Sequence, residues 1–483
     1  MRKQVAPLDM IPLKPLQTLS QLPGPPGLPV LGNLFRIDLT KLHSILEEWS
    51  DIYGPIYKFR IVNKTIVAIS DPESIQTILR ERPGAYRRAS AIEWVLRELG
   101  AHGVFSAEGE EWRRQRQLTM QAFNPEYLRR FFPGLREITR RLLNRWGKFA
   151  DTGQAIDARK DWMKFTVDIT TNLAFGYDMN LLERESDEFQ RHLEPILPTF
   201  NRRANALFPY WRYIELPADR AMEQSLRAIK ETIAEFIGQA RRRLENHPEL
   251  ASQPANFLEA LLSAGDEKVP RFTDEEIHGN VLTILLAGED TTAHTLSWML
   301  YLMAEHPEAQ ARMRREADAV LGDESVPPDL SAVEKLAYIE AVAHETMRLK
   351  PVAPLLFMEP NRDVEIEGVK IPKGTTLMLV KRPAALREEN FTDAREFKPE
   401  RWLDSNPPGY AHNRNASTPF GSGPRFCPGR NLALLEIKMA MAMLCKNFDV
   451  ERAEPERPVE EVFSFTMMPD RLMVEFAARR RDR

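Results

Sequence analysis

The stretch Phe420-Gly421-Ser422-Gly423-Pro424-Arg425-Phe426-Cys427-Pro428-Gly429-Arg430 sets two glycines, two positions apart, ahead of one of the chain's two cysteines. Glycines at that spacing let a loop turn tightly and bring backbone N–H groups close to a ligand atom. Arg425 can carry the charge opposite to a bound anion. Residues 431–444 are rich in strong helix formers, and Pro428 falls near the expected first turn. The sulfur is therefore expected at a helix N-terminus, where the dipole and free N–H groups favour thiolate over thiol and moderate its donation to a metal. An arbitrary cysteine is more often a small buried hydrophobe. With Phe420, Gly421, Gly423, Arg425, Cys427 and Gly429 all in place, a chance match is on the order of one in a hundred million per start position.

The rest of the composition narrows the class. A chain of 483 residues, 43% hydrophobic and 28% charged, can bury a substantial core, and a net charge of −4 gives no reason to invoke nucleic acid. Two cysteines exclude a Cys₄ zinc or iron–sulfur site held by this chain alone. If 427–445 is one helix, Cys427 and Cys445 lie about 27 Å apart, far beyond a disulfide's reach. Cys445, among Met443, Leu444 and Phe448, reads as a core thiol.

Residues 15–35 carry no charge, yet Pro15, Pro23, Pro25, Pro26 and Pro29 forbid a membrane helix there. Residues 1–35 read as a proline-rich lead-in with neither anchor nor signal peptide, and 36–483 as a single domain, giving an expected cytoplasmic enzyme. Residues 56–70 read as a hairpin around an Asn-Lys turn, most of 110–350 as helix, and 363–382 and 460–477 as short strands. The expected fold class is mainly α with a small β region.

Three further constellations stand out. Thr273-Asp274-Glu275-Glu276 is a capping box opening a helix that runs past Met299, about 40 Å long. Inside it, Ala287-Gly288-Glu289-Asp290-Thr291-Thr292 places Ala287 and Thr291 on one face. A threonine there can simply bond back to its i−4 carbonyl, and Asp290 can simply face water. Glu345-Thr346-Met347-Arg348 ends a helix expected to open at Ser331-Ala332-Val333-Glu334 and to stop before Pro351, followed by Phe397-Lys398-Pro399-Glu400-Arg401-Trp402. Trp112-Arg113-Arg114-Gln115-Arg116 sets Trp112 and Arg116 one helical turn apart.

Together these resemble the cytochrome P450 superfamily: its haem-binding cysteine loop, the acid–alcohol motif of its distal helix, its buried Glu–Arg–Arg cluster and its Trp-x-x-x-Arg pattern. The resemblance implies the P450 fold and haem b as cofactor, with Cys427 as iron ligand and Phe420, Ala287 and Gly288 beside the haem. It implies propionate contacts from Arg425, Trp112 and Arg116, and delivery of protons to bound O2 by Asp290 and Thr291. Glu345, Arg348 and Arg401 would lock the haem-side core. Many members carry an arginine where this chain has Met358, and Arg362 lies nearby but displaced.

By position in the family, the pocket is expected from 88–106, 196–213, Ala287, 352–356 and 465–467. Their apolar character implies a small hydrophobic substrate, with Arg202 and Arg203 as candidate guides for a carboxylate. Monooxygenation is then expected to draw its electrons from a separate ferredoxin or flavodoxin with its reductase. Arg113, Arg114 and Lys438 are a candidate basic patch for that partner. A peroxide-using haem-thiolate enzyme or a haem-based sensor or carrier would use Cys427 without needing Asp290 and Thr291.

Overall fold

The computed structural model describes residues 17–121, 123, 125–184, 188–265, 269–403 and 410–479, and shows a helical mass with a small β region. The hairpin forms as Ile56–Ile61 against Lys64–Ile69, in register from Ile56 opposite Ile69 to Ile61 opposite Lys64. Its turn is Val62-Asn63, one residue earlier than expected, with Val62 at φ 55°. The lead-in docks along the outer strand. Lys58 donates its N–H to the Pro23 carbonyl at 2.9 Å and Val62 to that of Leu31 at 3.1 Å. Approach this close requires Gly24, because a Cβ there would lie 1.9 Å from the Lys58 carbonyl oxygen. Thr376–Val380, Leu355–Pro360 and Tyr86–Arg88 complete a five-stranded sheet beyond Lys64–Ile69.

The central helix, Asp274–Glu305, begins at the expected capping box: Thr273 accepts from the Glu276 N–H while Glu276 accepts from that of Thr273. It packs against helices Ala158–Phe175, Ala337–Leu349 and Arg430–Asn447 and against strand Thr466–Pro469, so it is buried on most of its surface. Among the described residues no helix is long and apolar enough to cross a membrane.

Two helix starts differ from expectation. The helix expected to open at Ser331 is two. Asp329 caps Leu330–Glu334 by accepting the Ala332 N–H at 2.8 Å, and Ala337–Leu349 follows. Glu316, from another helix, caps the second by accepting the Tyr338 and Ile339 N–H groups at 2.7 and 2.9 Å. A carboxylate supplied from a distant segment lets the chain restart a helix without a local cap. The cysteine helix, Arg430–Asn447, starts three residues after Cys427, with Pro428 and Gly429 still in the loop. Cys445 is a buried free thiol whose Sγ lies 3.7 Å from Met303 Sδ.

Glu345, Arg348 and Arg401 form the expected cluster, each exposed by 1% or less. Arg348 donates to both Glu345 oxygens at 2.8 and 2.7 Å, and Arg401 Nε and Trp402 Nε1 add bonds at 3.0 and 2.8 Å. Burial pushes the Glu345 carboxyl up, but bonds and charge from Arg348, with Arg401 behind it, outweigh that and hold it below its ordinary value. The remaining guanidinium N–H groups of Arg348 bind the carbonyls of Ala385, Ala394 and Glu396 at 2.7, 2.5 and 3.0 Å, so this one side chain fastens the 385–396 meander to the helix.

Candidate active site

The cysteine loop is closed by a hydrogen bond from the Cys427 N–H to the Phe420 carbonyl at 2.9 Å. Gly421 and Gly423 have φ of 71° and 69°, and a Cβ on Gly423 would lie 2.5 Å from the Leu79 carbonyl oxygen. The loop thus needs glycine at 423 both for its turn and for its seat on helix Pro72–Arg80. Half-buried Cys427 is pushed toward the thiol by burial, against a pull from the Gly429 N–H, the Arg116 charge and the Arg430 N–H. The stabilisation expected from a helix N-terminus is present, but it does not outweigh desolvation by itself.

The structure gathers Trp112, Arg116 and Arg425 about this loop. Arg116 donates to the Phe426 carbonyl at 2.9 Å. The Arg425 guanidinium lies 4.8 Å over the Trp112 ring, ion-paired with Glu108 and bonded to the Ala107 carbonyl. Phe420 is half-buried, with the Arg430 guanidinium 6.0 Å over its ring. Met358 is fully buried, and Arg362 is exposed after the strand's end.

On the central helix, Ala287 is exposed between buried Leu286 and half-buried Gly288, with Thr283 and Thr291, one turn either side, also half-buried, the mark of a face turned to a cavity. Gly288 does not face it: a Cβ there would meet Thr170 Oγ1 at 2.9 Å, so its role is to let helix Ala158–Phe175 pack closely. Thr291 does bond back, donating to the Ala287 carbonyl at 2.7 Å, which leaves its oxygen lone pairs as acceptors. Asp290 is half-buried, and burial raises its carboxyl well above the usual range while the charge of Arg159 pulls it down. Burial, then Asp290 and Glu194, raise Glu289 further.

Three groups beyond the expected set belong to this region. His294, one turn past Asp290, is held neutral by burial and Arg159, with the Thr466 hydroxyl 3.3 Å from its Nδ1. Arg159 reaches in from helix Ala158–Phe175, and nothing local in the sequence ties it to residue 290. Glu436 is buried in the cysteine helix and hydrogen-bonded by Thr292, tying the acid–alcohol stretch to that helix. A lone acid between Leu435 and Ile437 was the available signal.

Burial pushes the Glu436 carboxyl up to about 8. Below the unfolded value near 4.5 both states hold the proton. Between there and about 8 only the folded state does, so stability falls by at most about 1.4 kcal/mol per pH unit. Glu436→Gln removes that dependence. Its thermal midpoint should match wild type near pH 4.5 and exceed it increasingly toward pH 8; parallel profiles would contradict a protonated buried Glu436.

Two expected surface roles do not hold. Lys438 is 6% exposed and paired with Glu340 at 2.7 Å, while Arg114 and Arg113 pair with Glu276 and Glu110. They do not form one open basic patch. Arg203 is buried, bonded to Asp219 at 2.9 Å and Glu223 at 3.0 Å, and Arg202 binds the Tyr210 hydroxyl at 2.6 Å and Asp219 at 3.2 Å. Both serve the fold of 196–219 rather than a carboxylate guide. Residues from three of the expected apolar segments do meet: Phe465, at φ 71° in the tip between Glu461–Ser464 and Thr466–Pro469, packs edge-on against Phe105 at 6.2 Å and Phe200 at 4.9 Å.

The family model for cytochrome P450 matches residues 22–476. The self-sufficient cytochrome P450 monooxygenase CYP505E3 of Phanerodontia chrysosporium is 30% identical over 93% of this chain, which spans 42% of that relative's length. Cytochrome P450 3A5 of Homo sapiens is 30% identical, with 88% of this chain and 85% of the relative covered. The 25-hydroxyvitamin D-1 alpha hydroxylase, mitochondrial, of Mus musculus is 28% identical, with 94% and 92% covered. The crystal structure of the cytochrome P450DA heme domain superposes with a TM-score of 0.84 at 24% identity, covering 97% of this chain and 99% of that one. On a family match of that extent, the chain belongs to the cytochrome P450 family of haem-thiolate monooxygenases.

Proposed function

We propose that the chain, as one catalytic domain, holds haem b between its central helix and its cysteine loop and inserts one atom of O2 into a small hydrophobic substrate. A separate ferredoxin or flavodoxin with its reductase supplies the electrons. The observation that carries this reading is the exposed Ala287 on a buried helix, one turn from Thr291, with Thr292 tied to the cysteine helix through Glu436. The residues fit the cofactor. Cys427 offers a sulfur with two N–H groups turned to it, Arg116 and Arg425 offer positive charge at the loop, and a coordinating cation deprotonates a thiol outright. Haem supplies the iron chemistry that activates O2, with a thiolate ligand favouring O–O cleavage.

The chain's own residues hold and move protons. Thr291 Oγ1, its proton committed to the Ala287 carbonyl, accepts a hydrogen bond from a water or a protonated group on the cavity side. Asp290, raised by burial, holds a proton more readily than an exposed carboxyl and can pass it toward Thr291. Neither a sensor nor a carrier needs that pair. The aromatic trio of Phe105, Phe200 and Phe465 and the apolar 352–356 turn favour a fatty acid, terpenoid or steroid. A cytoplasmic location belongs to the same proposal and is checked by fractionation after mild lysis.

Thr291→Ala tests the assignment, using whichever fatty acid, terpenoid or steroid perturbs the wild-type Soret band. Haem content and binding of that probe should be unchanged, while the fraction of electrons appearing in product falls about tenfold and peroxide rises to match. Unaltered coupling would remove Thr291 from the reaction.

A further inference from the structure

Where the C-terminal end of the central helix, the end of helix Ala337–Leu349 and residues 382–400 meet, the chain encloses an open cavity of about 730 Å³. Its walls are apolar and aromatic, with Tyr301 and Leu302 on one side and the His306 ring 4.7 Å from that of Phe397 on another. His306 is fixed in place because its Nδ1–H donates to the Leu302 carbonyl at 2.8 Å. Four cations line the same cavity, and they differ in how many donors they have free. Arg382, 8% exposed, is fully committed to both oxygens of Glu47 and both of Glu461, at 2.6 to 3.0 Å. Lys398 is paired with Asp393 and Glu396. Lys350 makes one ion pair, with the Glu461 oxygen it shares with Arg382, at 2.5 Å, which leaves two ammonium N–H groups. Arg395 is exposed and has no carboxylate within ion-pairing distance among the described residues. Of the carboxylates that line the cavity, Glu396 and Glu400 are paired with Lys398 and Arg312 at 2.8 and 2.7 Å, so Glu308 is the one left to oppose an incoming anion. Aromatic walls with an ammonium and a planar guanidinium that both have donors free suit a flat ring carrying a carboxylate.

The cavity is joined to the substrate pocket by two contacts of one side chain. Lys350 holds Glu461, the first residue of strand Glu461–Ser464, together with Arg382 and with His43 Nε2 at 3.0 Å. Its ammonium also lies 4.8 Å over the Trp298 ring, whose indole donates to the Met467 carbonyl at 3.2 Å in the returning strand. Between those two anchored points stands Phe465, the tip residue packed on Phe105 and Phe200. An anion in the cavity competes with Glu461 and with Trp298 for that ammonium. We propose that this cavity is an effector site for an aromatic carboxylate, gripped by Lys350 and Arg395 against Tyr301, His306 and Phe397, and that its occupancy reaches the substrate pocket through Glu461 and Phe465. The site stands apart from the haem-thiolate reading; the readout of its coupling rests on that reading.

The test uses the holoenzyme with 2-naphthoate as probe, titrated calorimetrically while saturating 4-phenylimidazole occupies the haem iron. Binding should appear that Arg395→Glu weakens about tenfold, and uncharged 2-naphthamide should bind at least tenfold more weakly than the acid. Arg395 is exposed, so its substitution leaves the fold intact. No binding, or binding that Arg395→Glu leaves unchanged, overturns the site. Coupling is read from the Soret shift of 4-phenylimidazole: its dissociation constant should change about threefold when 2-naphthoate is saturating, and stay fixed in Lys350→Met. No change in wild type, or a change that persists in Lys350→Met, overturns the coupling, since competition inside the haem pocket would not need Lys350. If 4-phenylimidazole leaves the wild-type Soret band unmoved, the haem-thiolate reading is what fails, and the calorimetric result still decides the site.

Discussion

Glu345→Ala should give protein that fails to retain haem and unfolds under conditions in which the wild type is stable. The carboxylate accepts from Arg348, Arg401, the Trp402 indole and the Lys398 backbone N–H, all at 3.0 Å or less. Removing it leaves two guanidinium groups in a region with 1% exposure or less. An uncompensated buried charge costs about 3–5 kcal/mol, against a total stability of roughly 5–15 kcal/mol.

Arg348→Lys should be nearly as severe, because three ammonium donors replace a planar fork that reaches both oxygens of Glu345 and the carbonyls of Ala385, Ala394 and Glu396. Those carbonyls then lose donors in the meander that precedes the cysteine loop. Urea midpoints and haem-to-protein ratios of the two variants check this. A soluble, haem-replete Glu345→Ala protein with the wild-type midpoint would show that the cluster carries no such load.

How far the sequence reveals this site depends on how local the determinant is. The Thr273 capping box and the glycines at 421 and 423 act within a few residues, and the structure forms them as read. The Glu–Arg–Arg cluster was readable only through the resemblance, since an i,i+3 pair by itself looks like a solvated one. Features set by register or by a distant partner were hidden. Lys438 looks like any surface lysine until helix Ala337–Leu349 places Glu340 beside it. Gly288 looks like a cofactor-facing glycine until Thr170 is known to lie opposite. The pairing of Arg88 with Met358 crosses 270 residues of chain and rests on strand register, which periodicity cannot supply. Arg159 beside Asp290 is hidden for the same reason, and its charge offsets part of the rise that burial gives that carboxyl.

Cys427→His is expected to abolish monooxygenation and to move the Soret band of the reduced carbon monoxide complex from the strongly red-shifted position of wild type to that of histidine-ligated haem. The chain offers no substitute thiolate. Cys445, the other cysteine, is fully buried, its thiol raised toward the neutral form by burial, near the far end of the cysteine helix. A neutral imidazole in place of sulfur would still bind iron, so haem need not be lost, but the electron donation that favours O–O cleavage goes with the thiolate. The Gly429 and Arg430 N–H groups, arranged to donate to an anionic sulfur, would face a ring nitrogen lone pair or none at all. Cys427→Ser separates ligand identity from bulk: it keeps the loop's volume and should also lose the red-shifted band. Retention of that band in both variants would mean that iron is ligated elsewhere, and the roles proposed for Thr291 and Asp290, which depend on a cofactor held between Cys427 and Ala287, would fall with it.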